Sequence, residues 1–134
     1  MRKFVQNFQI MNSIKILICG SRDWSDRAVI IDRFASFPPK IMIIHGGCRG
    51  ADTIAGEVAL SLGMEVKCFP ANWGEYGRGA GPRRNQAMID EGKPNLVIAF
   101  HDDLASSRGT RDMVARAMKS GIPVEVVTGR SDEE

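Results

Sequence analysis

The sequence HGGCRGAD at positions 45–52 packs three glycines, an arginine and an aspartate into one short segment. Gly46, Gly47 and Gly50 would let backbone N–H groups approach an anion closely, and a helix starting just beyond would add its dipole and unpaired donors. The same glycines also suit a tight turn with close helix–sheet contact, Asp52 then capping the helix or lying in its first turn. No Gly-Lys-Ser/Thr follows and the spacing is not G-x-G-x-x-G, so neither standard phosphate fingerprint applies. A second stretch, WGEYGRGAGPRRN at 73–85, reads as a long glycine-rich connection. There Trp73 and Tyr76 are placed to cover or stack on a ligand, Arg78, Arg83 and Arg84 to meet phosphate or carboxylate, and Asn85 to orient an arginine or read a base edge. The alternative is a surface loop with locally packed aromatics and solvated arginines. In a third segment, Arg108-Gly109-Thr110, the glycine permits a turn and the threonine can cap a helix. Free N–H groups and the hydroxyl would make a second anion cradle there, facing the first.

These segments need a scaffold that gathers them. Ile14–Cys19, Ile41–His45, Glu65–Phe69, Leu96–Phe100 and Val124–Val127 are short apolar runs, as expected of buried parallel strands. Between them Asp26–Phe37, Ala51–Leu62, Gly81–Glu91 and Thr110–Ser120 are of helix length. Ile54, Ala55, Val58, Ala59 and Leu62 form one apolar stripe; Met113, Val114, Ala117 and Met118 form another. The alternation predicts an α/β, Rossmann-like, doubly wound three-layer sandwich with a mainly parallel sheet of about five strands. Ligands of such sheets bind beyond the carboxyl ends of the strands, and the unusual residues do follow strands: Gly20-Ser21-Arg22, the 46–52 segment, the 73–84 segment and His101–Thr110. Residues 1–12 read as an extension, 13–130 as the domain and 131–134 as an acidic tail.

Composition narrows the classes. The chain has 134 residues, 43% hydrophobic and 25% charged, which suits one soluble globular domain. With 18 Lys and Arg against 16 Asp and Glu, a uniformly basic nucleic-acid coat is not indicated. Cys19, Cys48 and Cys68 form no C-x-x-C pair, which argues against a disulfide framework or a zinc site and fits a reducing cytoplasm, the three thiols packing in the core or loops. No apolar run approaches the ~20 residues of a membrane span.

Taken together, GSRDW (20–24), HGGCRGAD (45–52), PANWGEYGRGAGPRRNQAM (70–88), AF (99–100) and GT (109–110) resemble the YspA-type branch of the SLOG superfamily of Rossmann-like domains. Order and spacing match across nearly the whole chain after Ser13. The resemblance implies a doubly wound sheet, a nucleotide or nucleic-acid ligand and a homodimer paired through helices; it fixes no reaction. Lonely-guy phosphoribohydrolases of the superfamily use an arginine before R-x-x-x-M and a G-T-x-x-E element with a catalytic Glu. Arg84–Met88 and Gly109-Thr110 are similar, but Met113 stands at the Glu position and only the adjacent Asp112 is acidic. A shift of one helical position turns a side chain by about 100°. A single-strand DNA-binding recombination mediator of the superfamily has G-x-x-x-G-x-D-x-x-A and R-N-R runs, to which GGCRGADTIA and RRNQ are similar.

The resulting expectation is a nucleotide-binding domain acting as sensor or weak nucleotide-processing enzyme, with no metal or cofactor and no membrane partner. Its ligand set is Gly20, Ser21, Arg22, Gly46, Gly47, Arg49, Gly50, Asp52, Trp73, Arg83, Arg84, Asn85, Gly109 and Thr110. Any catalysis would fall on an N-glycosidic bond, Arg84 holding phosphate and Asp112 or Asp52 acting as acid or base. The alternatives are a phosphoribohydrolase-type hydrolase and a single-stranded nucleic-acid binding module.

Overall fold

The central strand β1 (Ile14–Gly20) buries Leu17 and Ile18 on opposite faces, so both sides of the sheet must be covered. In the computed structural model, which describes residues 14–38 and 40–129, it is flanked by β2 (Ile41–His45) and β4 (Leu96–Phe100). Strands β3 (Glu65–Cys68) and β5 (Val124–Val127) are the edges, giving the order β3-β2-β1-β4-β5 with every pair parallel. On one face Ile16, Ile18, Ile43, Ile98 and Phe100 pack against Ile30 and Phe34 of α1 (Arg27–Ala35) and Ala55, Val58 and Ala59 of α2 (Ala51–Ser61). On the other, Leu17, Cys19, Ile44, Val97 and Ala99 meet Met88 and Ile89 of α4 (Ala80–Asp90) and Met113 and Ala117 of α5 (Arg108–Lys119). This is the doubly wound three-layer sandwich expected from the alternation. No described helix is long and apolar enough to cross a membrane.

The differences lie at element ends. Leu62 follows the last residue of α2 and Met118 points about 100° from Ala117, so both outer members of the expected stripes are exposed. Cys68 is exposed on edge strand β3 rather than packed. The 73–79 part of the glycine-rich segment is not a loop: Asn72 caps a one-turn helix α3 (Trp73–Tyr76) and a 3₁₀ turn covers Gly77–Gly79, while Arg83, Arg84 and Asn85 lie in α4, one residue earlier at each end than the helix expected over Gly81–Glu91. Pro82 sits in the first turn of α4, where its missing N–H costs no intrahelical bond. Helix α5 begins two residues before Thr110, because Ser107 is its cap and accepts from Thr110 N (3.2 Å). The proposed extension at 1–12 and the tail at 131–134 lie outside the described residues.

Candidate functional site

From β1 the chain winds through β2 to β3 on one side, then crosses by α3 and α4 to β4 on the other. The connections therefore diverge beyond the carboxyl ends of β1 and β4, opening a crevice at the switch point. It measures about 410 Å³. Its floor is tight: a Cβ on Gly20 would collide with the Phe100 carbonyl, and one on Gly50 (φ 81°) with the backbone of Ser21 and Arg22. Thus the loops after β1 and β2 are joined backbone to backbone, Ala51 N donating to Ser21 O (3.0 Å). Ser21 Oγ accepts from Asp23 N (3.0 Å), which leaves its own hydrogen to donate.

The glycine loop after β2 already holds an anion of its own. Asp52, buried in the first turn of α2, accepts from Gly46 N (2.9 Å) and Cys48 N (3.4 Å), while Gly47 N donates to His45 Nδ1 (2.9 Å). The amides of Gly46, Gly47 and Cys48 are thus satisfied internally. Burial pushes the Asp52 carboxyl up to about 6, against the lowering effect of those amides and of the Arg84 and Arg22 charges. Burial and then the Arg84 charge hold the His45 pKa below the ordinary imidazole range.

Arg84 reaches across from α4. Its Nη1 donates to Gly46 O (2.6 Å), Nε to Asn85 Oδ1 (2.9 Å) and Nη2 to Cys48 Sγ (3.8 Å). All three acceptors are uncharged, and among the described residues neither Arg84 nor Arg22 forms an ion pair. The Arg84 hydrogen bonds go to uncharged groups, so apart from its field on buried Asp52 the guanidinium charge has no bonded counter-ion among the described residues.

The opposite wall is the start of α5. Thr110 Oγ1 donates to Gly20 O (3.1 Å), tying the helix to β1, and the N–H groups of Arg108 and Gly109 have no intrahelical acceptor. Both residues line the crevice. Gly109 is helical rather than in a turn, and a Cβ there would meet nothing within 4 Å. Thr110 is therefore a tether, not the cap.

Asn85, buried, donates from Nδ2 to Asp112 Oδ2 (2.9 Å) and Gly109 O (3.4 Å), linking α4 to α5. Asp112 also accepts from Arg116 Nε (2.8 Å) and lines a separate recess with Gln86, Arg116 and Lys119. Its neighbour Met113, fully buried, faces the crevice instead. The structure thus brings Gly20, Ser21, Arg22, Asp52, Arg84, Asn85, Gly109 and Thr110 together and leaves Asp112 outside.

A wider recess of about 710 Å³ adjoins the crevice and contains Gly46, Gly47, Arg49 and Trp73. Arg49 pairs with exposed Asp23 (3.5 Å), which lines the crevice and not this recess. Arg83 instead lies over the Tyr76 ring (4.2 Å) and lines neither space.

The crevice lining also includes Cys19, Asp23, Cys48, Met88, His101, Ser106, Ser107, Arg108 and Met113, which were not in the expected ligand set, although several lie in the segments singled out from sequence. His101 closes β4, and its Nδ1 accepts from Asp103 N (2.9 Å), so the neutral ring carries its proton on Nε2. Its place directly after a parallel strand was the available signal.

A family described as YspA, cpYpsA-related SLOG matches residues 14–76. The Gene 61 protein of Mycobacterium phage D29 is 37% identical, over 82% of this chain and 93% of the relative. Among solved structures, DNA processing protein A (DprA) from Streptococcus pneumoniae is similar with a TM-score of 0.73 at 21% identity, covering 92% of this chain. The chain spans 53% of that DprA chain, and the likeness is one of fold.

Proposed function

Since the chain belongs to the YspA, cpYpsA-related SLOG family, we propose that it binds a nucleotide or nucleotide-derived phosphate ligand in the crevice at the β1–β4 switch point. One observation carries the reading. Arg84, fixed by neutral partners and outside every ion pair of the described residues, faces the same crevice as the open N-terminus of α5. A preset cation opposite unpaired helix amides favours an anion of phosphate type. Ser21 and His101 add hydrogen-bond donors for sugar or phosphate oxygens.

Binding is favoured over hydrolysis of an N-glycosidic bond because the crevice offers no available carboxylate opposite Arg84. Asp23, which also lines the crevice, is paired with Arg49 (3.5 Å), Asp52 is committed to loop amides, Asp112 lies in another recess, and Met113 is apolar. A thermal-shift screen of nucleoside mono- and diphosphates, dinucleotides and cyclic nucleotides tests the reading. A ligand present at ~100 times its dissociation constant should stabilise the fold by roughly 2.7 kcal/mol. No shift with any of them, together with tight binding of a single-stranded oligonucleotide, would replace this reading with the nucleic-acid one.

A further inference from the structure

We propose that the ligand is two-lobed, a pyrophosphate-bridged conjugate of a nucleoside with a second group, such as a dinucleotide or a nucleotide sugar, rather than a nucleotide with terminal phosphate. The inference rests on the nucleotide-binding reading and names the ligand class for that site. The crevice and the outer recess are contiguous: Arg22, Cys48 and Arg84 line both. At about 410 and 710 Å³, each falls within the ~300–1,000 Å³ of a complete small-molecule site.

The two lobes differ in chemistry. No carboxylate lines the outer recess, whose wall carries Trp73, 52% exposed, at the start of α3. Gly81 of α4 backs that indole, since a Cβ there would already lie 3.4 Å from its ring. An exposed, supported aromatic in a positively charged recess suits a stacked base. The inner lobe offers hydrogen-bond donors, the Ser21 hydroxyl, the His101 ring and the first amides of α5, beside the Asp23 and Asp52 carboxylates and the Arg108 guanidinium.

Charge decides where the phosphates lie. Two guanidiniums outside the described ion pairs, Arg22 and Arg84, stand at the junction of the lobes, and a third, Arg108, lines the inner lobe at the start of α5. A mononucleotide with its base on Trp73 and its phosphate at α5 would place a neutral ribose between them. A diphosphate bridge puts one phosphoryl group at the arginines and the next toward the α5 amides, leaving a ring system on each side.

Calorimetric titration of the full chain with AMP, ADP, NAD+ and UDP-glucose tests this. The bridged compound of matching base should bind at least tenfold more tightly than the corresponding monophosphate. Trp73→Ala should weaken it about tenfold, within the range of one lost base–aromatic stack, and Trp73→Phe should restore most of the loss. Far-ultraviolet circular dichroism would verify that both variants fold. Equal affinity for AMP or ADP and the bridged compounds would overturn the two-lobed ligand and leave the nucleotide site standing. Unchanged binding by Trp73→Ala would overturn the base lobe. Failure of all four probes together with tight binding of single-stranded oligothymidylate would remove both readings.

Discussion

Asp52 does inside the protein what an external phosphate does in many glycine loops: its carboxylate receives the amides of Gly46 and Cys48. Internal satisfaction makes the loop a rigid support for Arg84, whose Nη1 is bonded to the Gly46 carbonyl. Ionised Asp52 is costly because burial lifts its carboxyl from 3.8 to about 6. A raised carboxyl favours the folded state while protonated, so this contribution is present below about pH 4 and lost as pH rises to about 6. Two pKa units correspond to roughly 3 kcal/mol. Urea denaturation of wild type and Asp52→Asn between pH 4 and 7 should show a steeper loss of stability in the wild type by that order. The asparagine oxygen can still accept from both amides but does not titrate. Equal slopes would mean that Asp52 ionises without penalty. Arg84→Ala should cost about 1.5–3 kcal/mol of affinity for whichever nucleotide binds most tightly, the usual worth of a charge-assisted hydrogen bond. Unaltered calorimetric affinity in the folded variant would remove Arg84 from the site.

At the scale of elements, the start of α5 allows stability and binding to be separated. Gly109 is helical and a Cβ would meet nothing, so Gly109→Ala should stabilise the fold by about 0.5–1 kcal/mol through helix propensity. The added methyl tilts toward the helix N-terminus, where Gly109 lines the crevice, and should weaken nucleotide binding. A higher melting temperature with lower affinity is the expected result; a gain in both would place the ligand away from α5. The strands and long helices were legible because apolar runs and 3.6-residue stripes report burial directly, as Ile16 and Ile18 on one face and Leu17 and Cys19 on the other show. The helix expected over Gly81–Glu91 is α4 and carries Arg84 toward the loop after β2, whereas residues 73–79 read as loop because their glycines masked the Asn72 cap and the turn that follows it. The partners of Asp52 and the reach of Asn85 to Asp112 were not legible. The Asp52 loop amides and the Asn85 bond to Asp112 depend on which neighbours the folded chain brings within reach, whereas Arg116 lies one helical turn from Asp112 at i,i+4.

For the whole molecule, the winding order places one cavity at the β1–β4 boundary and determines which carboxylates can enter it. Cleaving an N-glycosidic bond builds positive charge on the sugar, so an enzyme of that kind needs a carboxylate aimed at the ribose. Three acids lie nearest. Asp23 is exposed and paired with Arg49 (3.5 Å), Asp52 is buried against backbone amides, and Asp112 is held by Asn85 and Arg116 (2.9 and 2.8 Å). Met113 takes the wall position from which an acid on α5 would act. Freeing Asp112 would break the Arg116 ion pair and leave buried Asn85 without its principal acceptor, a cost of about 1–3 kcal/mol for the unpaired group alone. The fold therefore opposes recruitment of that acid. Chromatographic assay of free base from nucleoside monophosphates should show no robust turnover in the wild type, and Asp112→Asn should leave nucleotide affinity nearly unchanged. Rapid wild-type release abolished by Asp112→Asn would overturn this, requiring α5 to rotate its acid into the crevice and making the protein a hydrolase with a displaced catalytic carboxylate.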